Sequence, residues 1–269
     1  MPIYKTYMAV HKNKRLERSF YASIRRSKGY SLIELVVVMI IIGILGTIAA
    51  KSMKATQTIS RVEETREEMK RLAYAVIGNP DIRSGGVRTH YGYIGDIGAM
   101  PVNLTGLVAN PGGYTTWNGP YISDPFSTGG GNSEYLNDAW GNGYSYTGGT
   151  TISSTGGGSA MTQTLASSIN HLLYNRVVLN ITDLNNTPPG TTYKDSVKAL
   201  LTIPNGTGST TTKIKFPDYN GRIQFDSIPI GLHTLRVVYT PNNDTLSRTA
   251  NIEAGSDHNL LIQLFRKVW

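Results

Sequence analysis

Residues 30–50 read YSLIELVVVMIIIGILGTIAA, an apolar run of 21 residues that carries one charge, Glu34. A helix rises 1.5 Å per residue, so the run spans about 30 Å, the thickness of a bilayer's hydrocarbon core. It is the only such stretch in the 269-residue chain. The residues before it set an orientation. Lys5, Lys12, Lys14, Arg15, Arg18, Arg25, Arg26 and Lys28 stand against a single acid, Glu17, and a flank of this kind stays cytoplasmic. Everything after residue 50 is therefore expected on the opposite side. A cleavable secretory signal fits less well. The run is too long for its apolar region, no A-x-A-like site follows closely, and Lys51 and Lys54 open a further helical pattern instead.

The formal net charge is +8, which on its own suggests a nucleic-acid binder. Mapping removes that suggestion. The leader takes eight of the 26 basic residues and one of the 18 acidic ones, leaving 18 and 17 for residues 30–269. No body segment carries a basic stripe interleaved with aromatics, so no nucleic-acid partner is expected. Zero cysteines exclude disulfides, zinc–thiolate sites, iron–sulfur clusters and thiol nucleophiles. Hydrophobic residues at 39% with charged residues at 16% do not describe a disordered chain.

Glu34 is the odd residue of the run, because a carboxylate costs about 2.5–3.5 kcal/mol at the membrane centre and less near the interface. Two readings stand. Either it snorkels to the nearby cytoplasmic face, or it meets a positive charge that arises only on processing, such as a new α-amino group at Tyr30. The string Lys28-Gly29-Tyr30-Ser31-Leu32-Ile33-Glu34-Leu35, followed by the apolar run, resembles the class III signal of type IV pilins and type II secretion pseudopilins. The resemblance implies that a prepilin peptidase/N-methyltransferase cuts between Gly29 and Tyr30 and methylates Tyr30. It implies also that Glu34 pairs with the N-terminal amine of a neighbouring subunit. Tyr30 departs from the usual Phe or Met, and the leader is long for a pseudopilin; an internal start such as Met8 would shorten it.

Beyond the run, Ile59, Val62, Met69, Leu72, Ala73 and Val76 recur at helical spacing, with Glu63–Arg66, Glu67–Lys70 and Glu67–Arg71 as surface pairs. Gly78-Asn79-Pro80 stops the pattern. No proline interrupts 30–78, so one helix of roughly 70 Å is expected, weakest at Gly43 and Gly46. Those two glycines suit either local unwinding or close helix packing.

From 85 to 158 the chain holds 19 of its 29 glycines, punctuated by Tyr91, Tyr93, Tyr114, Trp117, Tyr121, Phe126, Tyr135, Trp140, Tyr144 and Tyr146. Rings of this density imply ordered loops pinned on a small sheet. The pattern Asp96-Ile97-Gly98-Ala99-Met100-Pro101, Trp117-Asn118-Gly119-Pro120-Tyr121 and Asp138-Ala139-Trp140-Gly141-Asn142-Gly143-Tyr144-Ser145-Tyr146 is similar to the head of the major pseudopilin of type II secretion. That family usually binds calcium in the loop that follows. Here the loop, from Ile152 to Ser159, has no carboxylate, so the candidates are the nearest acids, Asp124 and Asp138.

The last hundred residues alternate: 177–181, 213–216, 222–225, 235–239, 250–252 and 260–265, with turn clusters at Pro188-Pro189-Gly190, Pro204-Asn205-Gly206 and Pro241-Asn242-Asn243-Asp244. This predicts an antiparallel β-sandwich. The stretch from Gly221 through Pro229-Ile230-Gly231 to Val237 is similar to the carboxypeptidase-regulatory-like (transthyretin-like) sandwich. Histidines 11, 90, 171, 233 and 258 form no ligand spacing, and no P-loop or nucleophile elbow is present.

The expectation is therefore an α+β, non-enzymatic chain without a required cofactor. It comprises a leader (1–29), a long helix (30–80, with 30–50 membrane-spanning and assembling), a Gly-rich pilin-like head (81–172) and an all-β sandwich (173–269). The helix packs on a small antiparallel sheet in the head. The resemblance implies three partners: the peptidase, other subunits of its kind and an inner-membrane assembly platform. The location is a single pass in the inner membrane with the C-terminal domains outside, and a filament after assembly. A membrane-anchored β-sandwich binding module that never polymerises is the alternative.

Overall fold

The computed structural model describes residues 29–123, 134–255 and 257–269, and the chain divides into two units, Met1–Ser52 and Met53–Trp269. The leader up to Lys28 and the candidate Asp124 lie outside the described residues.

Helix α1 runs from Leu32 to Ile77, 46 residues without a break. Gly43 and Gly46 do not interrupt it, and each has open space where a Cβ would stand. In the first unit every described residue is exposed. In the second, α1 buries Thr65, Met69, Leu72, Ala73, Ala75 and Val76. Of the expected apolar face, Met69, Leu72, Ala73 and Val76 are buried and Val62 is half-buried. Ile59 is 70% exposed, because the head covers the helix only beyond it. Of the expected surface pairs, Glu63–Arg66 forms at 3.8 Å, whereas Arg71 turns its Nε to the Glu67 carbonyl.

The helix ends as its sequence demands. Gly78 takes φ +83° and returns its N–H to the Tyr74 carbonyl at 2.8 Å, and a Cβ there would lie 2.2 Å from the His90 carbonyl. The Arg88 guanidinium then donates to the Ile77 and Gly78 carbonyls at 2.6 and 3.1 Å, satisfying acceptors that a helix C-terminus leaves open.

The head is built from a short hairpin, β1 (Arg83–Ser84) and β2 (Val87–Arg88), helix α2 (Gly92–Ile97), a 3-10 turn at Leu104–Leu107, and the antiparallel pair β3 (Thr151–Ser154) and β4 (Met161–Thr164). Its core joins Met69, Leu72 and Val76 of α1 to Tyr93, Ile94, Ile97, Leu107 and Ile152. The rings do pin the loops. Trp117 and Tyr121 pack edge to face at 5.6 Å, Tyr93 and Tyr121 at 5.8 Å, and Trp117 donates Nε1–H to the Gly106 carbonyl at 2.9 Å.

After helix α3 (Ile169–Leu173), seven strands follow: β5 (Asn175–Thr182), β6 (Val197–Pro204), β7 (Thr210–Lys215), β8 (Arg222–Ile228), β9 (Gly231–Tyr239), β10 (Asp244–Ile252) and β11 (Asp257–Gln263). They form a four-stranded sheet ordered β10-β9-β6-β7 and a three-stranded sheet ordered β11-β5-β8. The alternating side chains of both sheets share one core around Phe225, Leu179, Leu201 and Leu235. Two details differ from the sequence-based expectation. Strand β6, central in its sheet, went unrecognised. And β11 runs parallel to β5, so the arrangement is not wholly antiparallel: β11 follows β10 directly but crosses to the other sheet, where it enters alongside β5 rather than folding back on it.

Within Met53–Trp269 the head and these sheets touch closely. Ile230 is fully buried in the head core and donates its N–H to the Leu172 carbonyl at 2.9 Å. Gly206 donates to the Ile97 carbonyl and Thr115 to that of Gly208, both at 2.8 Å. Gly95 and Gly231 meet backbone to backbone: a Cβ on Gly231 would lie 3.4 Å from the Gly95 Cα.

Candidate processing and assembly site

Gly29, Tyr30 and Ser31 lie outside the helix, and Tyr30 is 80% exposed. Ser31 starts α1. Its carbonyl accepts the Leu35 N–H at 3.1 Å and its Oγ accepts the Glu34 N–H at 3.2 Å. Ser31-Leu32-Ile33-Glu34 is thus a Ser-x-x-Glu start signal ahead of an apolar run. Sequence reasoning assigned Glu34 without noticing Ser31, although the spacing was available to it. Glu34 sits in the first turn of α1, where a negative charge faces the positive end of the helix dipole. That favourable field reduces the penalty the residue carries in apolar surroundings.

From Leu32 to Ile48 the large apolar side chains are 43–83% exposed. Among the described residues this is the one helix long and apolar enough to cross a membrane. A helix apolar all round needs lipid or other helices about it.

The lower part of α1 is tied to the head by two polar contacts. Thr65, fully buried, accepts the Ala139 N–H at 3.2 Å. Tyr144 donates its hydroxyl to Glu68 at 2.7 Å. Burial pushes the Glu68 carboxyl above its ordinary value despite that hydrogen bond, and burial and Glu68 together push the Tyr144 phenol up. Tyr121 and Asp96 repeat the arrangement inside the head at 2.7 Å, with burial again raising both groups.

Asp138, 5% exposed, is surrounded by donors. The Trp140 and Asn142 amides reach its Oδ1 at 2.9 Å, and Ser154 Oγ–H reaches its Oδ2 at 2.6 Å. Burial raises its carboxyl, but these hydrogen bonds outweigh burial and hold it below the usual carboxylate value. A calcium ion needs acceptor oxygens turned toward it, and the groups that surround the Asp138 carboxylate are donors. Its geometry is that of a loop anchor. Among the described residues no three His, Asp or Glu side chains gather as a metal site.

The described histidines are likewise spread out. His90 Nδ1 accepts the Asn79 N–H at 2.8 Å, His171 lies 3.0 Å from Ser167 Oγ, and His233 donates to the Pro229 carbonyl at 2.7 Å. His258 contacts the Glu253 backbone.

Compared with known families, residues 24–50 match the prokaryotic N-terminal methylation motif. The match takes in Gly29, Tyr30, Glu34 and the apolar run, and stops short of the head. No curated protein matches the chain. Solved structures with a partial likeness include the Bacillus anthracis TIE protein, 8% identical over 45% of this chain and 24% of that one with a TM-score of 0.26. Another is S.CueP, 17% identical over 42% of this chain and 72% of that one with a TM-score of 0.25. The chain thus spans about a quarter of the TIE protein's length. At such TM-scores neither likeness informs fold or function. The first fifty residues carry the signal of a type IV pilin-like precursor, which points to a structural protein anchored in a membrane.

Proposed function

We propose that the chain is a structural subunit of a type IV pilus or a type II secretion-like pseudopilus. It is cleaved after Gly29, N-methylated at Tyr30 and polymerised through the apolar half of α1. The observation that carries this reading is the methylation motif over residues 24–50. The exposure of the Gly29–Tyr30 bond immediately ahead of the helix is consistent with it. The physics of assembly follows from the apolar helix. A subunit leaves the bilayer only when another apolar environment replaces lipid, and a bundle of the same helices provides one. Glu34 then meets the amine of the adjacent subunit, so a charge that is costly alone sets the register of the polymer. The peptidase, sister subunits and an inner-membrane assembly platform are the partners. Before assembly the chain crosses the inner membrane once, with its leader cytoplasmic and its head on the opposite side.

Intact mass and N-terminal sequencing of the protein from its native host test the processing. A chain starting at Tyr30 with one added methyl group supports the proposal. A chain that keeps its leader has no new amine, and it would move the reading to a membrane-anchored binding module. Assembly has its own test. Glu34→Leu is expected to insert normally and yield few or no filaments by electron microscopy; filaments in wild-type numbers would overturn the registry role.

A further inference from the structure

We infer that Ser31 is a positioning residue for the processing reaction, fixing where the helix begins and so keeping the scissile bond extended. The inference rests on the processing reading above. Hydrolysis adds water across the Gly29–Tyr30 amide: the C–N bond breaks, Gly29 departs as a carboxylate and Tyr30 becomes the new α-amine. A peptide bond inside a helix has its N–H and C=O engaged and its faces covered by neighbouring turns, so a peptidase needs it outside one.

In this chain the boundary is narrow. The helix starts at Leu32, only two residues after the bond. No proline beside Tyr30 stops the apolar helix from extending backward over it. The stop is Ser31, which spends both of its oxygens on the first turn: the carbonyl on Leu35 N–H and Oγ on Glu34 N–H. A residue whose side chain accepts from the third position beyond it holds non-helical backbone angles itself. The same hydrogen bond sets the placement of Glu34.

The test compares Ser31→Thr, which keeps the hydroxyl, with Ser31→Val, which has nearly the same shape without it. Full-length chains in detergent micelles are digested with a purified prepilin-type peptidase, and leader loss is timed by mass spectrometry. Amide exchange at Glu34 is followed in the same samples. The expected result is near-wild-type cleavage for the Thr variant and cleavage slower by about fivefold for the Val variant, the ratio that corresponds to loss of one helix cap. Glu34 exchange should accelerate by a similar factor in the Val variant only. Equal cleavage of the wild-type and Val chains overturns this inference and leaves the processing reading standing. A wild-type chain that the peptidase leaves intact overturns both. Slowing in both variants, with Glu34 exchange unchanged, would mark Ser31 as a side chain the peptidase reads by shape, and the positioning role would fail.

Discussion

Arg88 shows how one side chain can do what a helix cannot do for itself. Its guanidinium spans the Ile77, Gly78 and His90 carbonyls and stacks over Tyr91, 4.5 Å from the ring centre. Burial lowers its affinity for the proton, yet at any ordinary pH it is a cation among acceptors. Arg88→Ala is expected to destabilise the head by about 3 kcal/mol. That corresponds to a fall of about 6–12 °C in melting temperature for a unit of this size, and a shift below 2 °C would refute the assignment. His233, 2% exposed, carries the pH prediction. Burial lowers its pKa, against a smaller opposite effect of the Pro229 carbonyl, and His90 is lowered in the same way by burial and by Arg88. With folded values below the ordinary 6.5, the unfolded chain binds more protons, so stability falls as pH drops through and below that value. Chemical denaturation at pH 7.5 and 5.5 should show this fall, and His233→Gln should reduce it. These residues mark the limit of sequence reading. Gly29 and Glu34 stood out because a fixed spacing surrounds them. Arg88, Thr65 and Ser31 act through partners that are either distant in sequence or made of backbone, and only Ser31 had a local pattern that could have exposed it.

The elements were legible in proportion to their contrast. α1 was clear from end to end because no proline interrupts it and Gly78-Asn79-Pro80 stops it. What its spacing could not reveal was where the head begins, and so Ile59 looked like core. β6 was missed although Val197, Ala199, Leu201 and Ile203 alternate inward, because Pro204 and the half-covered Lys198 and Leu200 between them blur the period. Two edge strands repay attention. Lys213 and Lys215 of β7 donate their Nζ groups to the Asp226, Ser227 and Gln224 carbonyls of β8 at 2.6–3.1 Å. Open edge carbonyls invite another strand, and lysine is a common block. The double variant Lys213→Met, Lys215→Met is expected to lose about 1–2 kcal/mol of stability. It should also self-associate with increasing concentration in sedimentation velocity, compared with wild type in the same detergent. A variant that stays monodisperse would show that the lysines do not guard the edge.

At the scale of the whole molecule, the question is how the added sheets relate to the head. The sequence, with its change of texture near residue 173, suggests two bodies joined in series. The contacts tie them: Ile230 sits in the head core, and Gly98, at φ +78°, would bring a Cβ within 2.7 Å of the Pro204 carbonyl. Gly98→Ala combines backbone strain with that clash and is expected to cost about 2 kcal/mol or more. By calorimetry, head and sheets should unfold in one transition in wild type. Two well-separated transitions, or a Gly98→Ala chain as stable as wild type, would mean the contact is incidental.

The close approach of Gly98 to Pro204 has a consequence for descent. A module hung on a linker can be gained, lost or exchanged by recombination without disturbing its neighbour. Here Gly98 cannot acquire even a methyl group unless the Pro204 carbonyl, 2.7 Å from where it would stand, retreats, so the sheet constrains what mutation can do to the head. A lineage that swapped the C-terminal sheets for another fold would have to rebuild the head at the same time. The two halves are bound to be inherited as one.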